Sequence, residues 1–198
     1  MRMRFTSWLA GGLIALSCPL AAAPPEEAVG ESAFGALDGF LAVSPLESGS
    51  MVLGMVGFFG QPEPDQWLIL TSSSATPGAL RESIFARGRL LGERRISPLP
   101  GQDLPHLPIA RATLKIDSAS AFRVVEDLAH RQKRTFDAAH FQLRVRDLGA
   151  EPVWMLNLLN RARVSVGVVY LSATTGAVLR ETWVGPAPVL DETRISAR

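Results

Sequence analysis

From position 141 to position 184, apolar and polar residues alternate in short runs broken by turn residues, and no other feature constrains the chain as strongly. Phe141, Leu143 and Val145 alternate with Gln142, Arg144 and Arg146. That is the period-two pattern of a strand with one face in a core and the other in water. Runs at Val153–Asn160, Arg163–Ser172 and Ala177–Val184 follow, the last two joined by Ala173-Thr174-Thr175-Gly176. The glycine stands where a positive φ costs little. Upstream, Asp117 or Ser118 caps a helix that runs to about Lys133, with Ala121, Phe122, Val125, Leu128 and Ala129 at helical spacing.

The first half carries a similar plan. Gln66–Ser72 places Trp67 and Ile69 on one face and Leu68 and Leu70 on the other. Ala79–Arg87 and Arg89–Ser97 form a hairpin across Arg87-Gly88-Arg89. Ser44-Pro45-Leu46-Glu47 has the form of a capping box with Pro at the first helical position. It predicts a helix from about Pro45 to Phe59, stopped by Gly60, although Gly49, Gly54 and Gly57 each cost it about 1 kcal/mol relative to Ala. Phe34, Leu37, Phe40 and Leu41 form a shorter helical pattern before it. An offset of 74 places Ser44 on Ser118, Trp67 on Phe141 and Arg89 on Arg163. The expected plan is a duplication, with a first repeat at 44–97, a Pro-rich linker at 98–111 and a second repeat at 112–184. An N-terminal segment at 24–43 and a tail at 185–198 flank them. The fold class is α+β: antiparallel meanders with one helix per repeat packed on one face.

Residues 1–23 are expected to act as an export signal. Met1-Arg2-Met3-Arg4 is positive, Trp8 to Leu16 is apolar, and Ala21-Ala22-Ala23 offers small residues for cleavage. Gly11, Gly12 and Pro19 break the stretch, so no stable membrane span is expected after cleavage. Ala15-Leu16-Ser17-Cys18 leaves a lipoprotein route through Cys18 as a minor alternative. The net charge of +1 argues against nucleic acid as a partner, and losing Arg2 and Arg4 leaves 18 basic against 19 acidic residues. Cys18 is the lone cysteine, so a disulfide framework and a cysteine-based zinc site are both excluded. The expected location is the periplasm or the exterior.

Trp154-Met155-Leu156-Asn157-Leu158, followed by Val166-Gly167-Val168-Val169-Tyr170-Leu171-Ser172-Ala173-Thr174-Thr175-Gly176-Ala177-Val178, resembles the ending of PepSY-type domains. In those domains W-x-L-x-L precedes a strand ending in T-G-x-V. The resemblance covers 112–184 best, with 44–97 as a divergent first copy lacking the Thr-Gly turn. It implies a helix on an antiparallel sheet in an exported bacterial protein, similar to cystatin-like and β-lactamase-inhibitor-like modules. It also implies a binding or regulatory role at the envelope, or inhibition of a secreted peptidase. It supplies no catalytic residues.

The residues themselves point to no reaction. His106, His130 and His140 form no H-x-x-x-H or H-E-x-x-H pair, and neither a nucleophile elbow nor a phosphate loop occurs. No cofactor is expected. Arg87, Arg89, Arg94 and Arg95 are the densest basic feature, suited to an acidic partner or simply to keeping a hairpin soluble. Trp183, on a terminal strand, is a candidate binding anchor. The expectation is a non-enzymatic binding module whose partner is another envelope or secreted protein. The alternative is a small-molecule pocket, with or without catalysis, inside a helix–sheet roll.

Overall fold

The computed structural model describes residues 30–73, 78–97, 101, 104–146 and 150–185. The leader with Cys18, the tail from position 186 and parts of three loops lie outside the described residues. Helix α1 spans Ala33–Val43, and strands β1 to β4 span Val52–Gly60, Trp67–Ser72, Leu80–Ala86 and Arg89–Ile96. A short 3₁₀ turn at Arg111–Thr113 leads into α2, Ser118–Arg131. Strands β5 to β8 follow at Ala138–Arg144, Val153–Leu159, Ser165–Ser172 and Val178–Trp183. The strands make one antiparallel sheet in the order β4-β3-β2-β1-β5-β6-β7-β8. The α+β class read from the sequence is the observed one.

The helix expected at 45–59 is not there; its place is taken by a short turn and the strand β1. Ser44 is the C-cap of α1, with its backbone N–H on the Phe40 carbonyl, so Pro45 follows a helix end instead of opening a helix. The glycines have a packing reason. A Cβ on Gly57 would run into the Pro64 ring and come within 2.9 Å of the Trp67 indole. A short, wholly apolar run is ambiguous between a buried helix and a buried strand, and tertiary packing decides for the strand. The first helix-plus-four-strands unit therefore starts at Ala33, in what the sequence offered as an N-terminal segment. The correspondence between halves is also longer than 74 residues: the N-caps Ser32 and Asp117 are 85 apart, and Trp67 and Trp154 are 87 apart.

The two units meet along β1 and β5, where Gly54 pairs with Arg144 and Gly57 with Phe141. About this seam the contacts repeat. Trp67 Nε1 donates to the Glu31 carbonyl at 2.7 Å, just before the N-cap of α1. Trp154 Nε1 donates to the Ile116 carbonyl at 2.8 Å, just before the N-cap of α2. The two indoles lie 6.1 Å apart with Phe141 against both. The helix starts are joined as well. Asp117 Oδ1 accepts from Ser118 N and from Phe34 N, and Ser118 Oγ accepts from Ala33 N. One carboxylate and one hydroxyl thus satisfy end groups of two helices, each such cap being worth about 1 kcal/mol.

Both helices cover the same face. Leu37 and Phe40 of α1, Phe122 and Val125 of α2, and the inward residues Met55, Ile69, Phe85, Leu143, Leu156 and Leu171 form the main core. Among the described residues no helix covers the opposite face. At one end of it Leu53, Leu70 and Leu80 form a small cluster, on which Leu104 and Ile96 pack. The connection after β4 runs past this cluster, and Leu107 bridges to Val145.

Candidate functional site

The helix-free face carries the features most suited to binding. One cross-strand row on it reads Gly92, Ile84, Leu68, Val56, Gln142, Met155, Tyr170, Arg180. Its middle is half-buried and, apart from Gln142, apolar, with Arg180 exposed at one end. Beside it a groove of about 260 Å³ is walled by Val56, Phe58, Leu68, Leu70, Leu104 and Pro105. Glu82 lines this groove at 8% exposure and forms an ion pair with Arg94, directly across the β3–β4 ladder. The Glu82 hydrogen bond, and then its charge, raise the Arg94 pKa further above its usual value. Alternation alone puts Glu82 beside Leu70 and Leu68, so a buried carboxylate there depends on its arginine.

The groove continues at Phe58 into an aromatic corner. Between Gly57 and Gly60 the β1–β5 register slips, and Phe58 and Phe59 stand 44% and 43% exposed. Phe59 has φ 56°, a left-handed conformation that costs a bulky residue on the order of 1 kcal/mol or more. Both rings meet His140 edge-on, at 5.3 and 4.5 Å. Burial lowers the His140 pKa below 6.5, and its Nε2 has no hydrogen-bond partner among the described residues. The Arg163 guanidinium lies 4.6 Å over the Phe59 ring.

The sequence-derived candidates separate. Arg87 and Gly88, with φ of 51° and 70°, form the two-residue turn between β3 and β4. Arg89 opens the edge strand opposite Ala86, Arg94 pairs with Glu82 on the other face from the helices, and Arg95 stands opposite Arg81 on the helix side. Two faces and a turn divide the four arginines, so they form no single patch. Trp183 is half-buried on the helix side, with Arg134 5.7 Å over its ring and no room for a Cβ on Gly167 beneath it. Its ring is packed at the sheet edge with part of it exposed. His106 is in the crossing connection and His130 on exposed α2 surface, so the three histidines do not converge. Glu31, Glu63 and Asp117 do gather at the helix starts. There the Glu63 pKa is raised by burial first and by Asp117 and Glu31, with Arg123 opposing. Among the described residues no group of three His, Cys, Asp or Glu side chains is placed to hold a metal. The residues of this face and corner that sequence reasoning did not offer as site residues are Glu82, Phe58, Phe59 and His140. Phe58-Phe59 between two glycines was the available signal, since glycine within a strand pattern marks a bulge.

No family model matches the chain. No curated protein matches it either. A crystal structure of a "putative lipoprotein" from Clostridium difficile 630 is similar at 11% identity and a TM-score of 0.48, over 75% of this chain and 90% of that one. Similarity of that size bears on neither fold nor function. No described helix is long and apolar enough to cross a membrane.

Proposed function

We propose that this chain is an exported, non-enzymatic binding or regulatory module of PepSY-like type. Its partner, another envelope or secreted protein, docks on the helix-free face of the sheet. The motif between Trp154 and Val178 supports the kinship: it builds the β6–β7–β8 meander, closed at Gly176 with φ 77°. One observation carries the docking face. The groove beside Leu68 is open to solvent and runs into Phe58, while the face opposite is filled by both helices. An apolar groove that opens to solvent beside an exposed aromatic ring and is bordered by charge has the form of an interaction site. A peptidase-inhibitory role falls within this reading as one kind of partner.

The test uses the mature chain, residues 24–198, as bait in periplasmic extract with chemical cross-linking. A discrete partner is expected with the wild type and with Arg123→Glu on the helical side. It is expected to be lost with Leu68→Glu and with Phe58→Glu, both checked for an unchanged circular dichroism spectrum. Capture that survives both groove variants would end the docking proposal. Export is tested separately by fusing residues 1–30 to alkaline phosphatase without its own leader. Phosphatase activity retained outside the cytoplasm is expected, and a Cys18→Ser fusion reports whether a lipid is attached.

A further inference from the structure

A second pocket, of about 500 Å³, lies at the end of the sheet beyond the aromatic corner, and its chemistry differs from that of the groove. Its floor is apolar: Ala138 and Leu159 are buried at 5% and 3% exposure. One wall is Phe59 with Gln61, and the other is the turn from Asn160 to Arg163 between β6 and β7. That turn is internally fixed. Asn160 Oδ1 accepts from Val164 N at 3.0 Å and the Asn160 carbonyl accepts from Arg163 N at 2.8 Å. Arg163 itself has φ 60°, so two left-handed residues, one on each wall, bring guanidinium and ring together.

The charges in this pocket do not cancel. Arg161 donates Nε to Asp137 at 3.1 Å. Arg163 has no carboxylate among the described residues; its contact is with the Phe59 face, which leaves the N–H edge of the guanidinium uncommitted. One carboxylate against two arginines leaves a single positive charge. A guanidinium seated over an aromatic face keeps its planar donor fork available, and that fork pairs with a planar oxyanion. Ala138 and Leu159 line the same pocket. We infer that this pocket is a ligand site for a carboxylate carried on an apolar group, the carboxylate held by Arg163 and Arg161 and the apolar part lying against Phe59 and Leu159. The same chemistry is presented by the C-terminal residue of a peptide and by a free apolar acid. The inference does not rest on the groove being a docking face.

The mature chain is titrated by ¹⁵N nuclear magnetic resonance with N-acetylphenylalanine, its C-terminal amide, and a tetrapeptide ending in phenylalanine with a free carboxylate. The acid is expected to shift the Gln61, Asn160 and Arg163 amides saturably, and the amide to bind at least about tenfold more weakly. Arg163→Gln is expected to weaken the acid about tenfold and leave the amide unchanged, with Arg163→Lys, which keeps the charge but loses the fork, in between. Tighter binding of the tetrapeptide supports a peptide terminus as the natural ligand, and equal binding supports a free acid. Acid and amide binding alike, or Arg163→Gln binding as the wild type does, would overturn the site. So would shifts confined to the groove around Leu68 and Leu70. Leu68→Glu is expected to leave the titration unchanged, so the docking face and this pocket can fail separately.

Discussion

Lys133 shows how a single position can be right for its element and wrong for its side chain. It follows the C-cap of α2 with φ 56°, its N–H on the His130 carbonyl, while Arg134 N–H reaches the Ala129 carbonyl. These two bonds define the helix-ending motif that ordinarily places glycine at this position. Lys133→Gly is therefore expected to raise stability by roughly 0.5–1 kcal/mol, read as a higher urea midpoint at unchanged slope. His140 makes the opposite kind of statement. Burial holds its pKa below 6.5 in the fold, so on acidification the unfolded chain takes up this proton first. Its contribution to stability is complete above about pH 6.5 and is lost as pH falls through the folded value. Denaturation midpoints at pH 7.5, 6 and 5 are expected to decline in the wild type and to decline less in His140→Gln. The Asp117 cap could be read at this scale because its signal is local. At Phe59 the flanking glycines signal a bulge, but not that the bulky residue itself takes the left-handed conformation.

At the scale of elements, legibility followed the period. Strands β2 to β8 and helix α2 announce themselves by alternation or helical spacing between turn residues, and the structure places each within a few residues of its expected bounds. Strand β1 does not alternate. It lies at the middle of the sheet, with Met55 in the main core and Leu53 in the cluster on the other side. A strand buried on both faces has no polar side to reveal its period. Its glycines, which argued against a helix, turn out to make room for Trp67 and Pro64. Gly57→Ala is expected to cost about 1–3 kcal/mol, since the overlap is with a proline ring and a buried indole that have no free rotamer. Calorimetry reads this as a fall of several degrees in Tm, whereas Gly92→Ala, with open space around it, is expected to change it little. The candidate site was hidden for a related reason. Glu82 and Phe58 acquire meaning only when four strands set them beside Leu68 and Leu104.

At the scale of the molecule, eight strands in one ladder make each half the neighbour of the other. Strand β5 has β1 on one side and β6 on the other, and the indoles of both units pack together across the middle. A fragment of residues 112–184 would present β5 as an open edge with its inward side chains uncovered. It is expected to be unfolded or dimeric by analytical ultracentrifugation. A folded, monomeric fragment with a cooperative melt would show that the middle pairing is dispensable. The repeated order of one helix and four strands was visible in the sequence, but its spacing was not, because the first helix lies ahead of the region that carried the misread cap.

The backbone pairing of β1 with β5 also has no means of recognising its own chain. A long connection, from Ile96 to Ser118, leads from one unit to the other. Two molecules refolding side in side could each lend the other a half and close every ladder as before. Concentrated refolding would then trap an interlocked pair whose units are indistinguishable from those of the single molecule, and which separates only by coming undone.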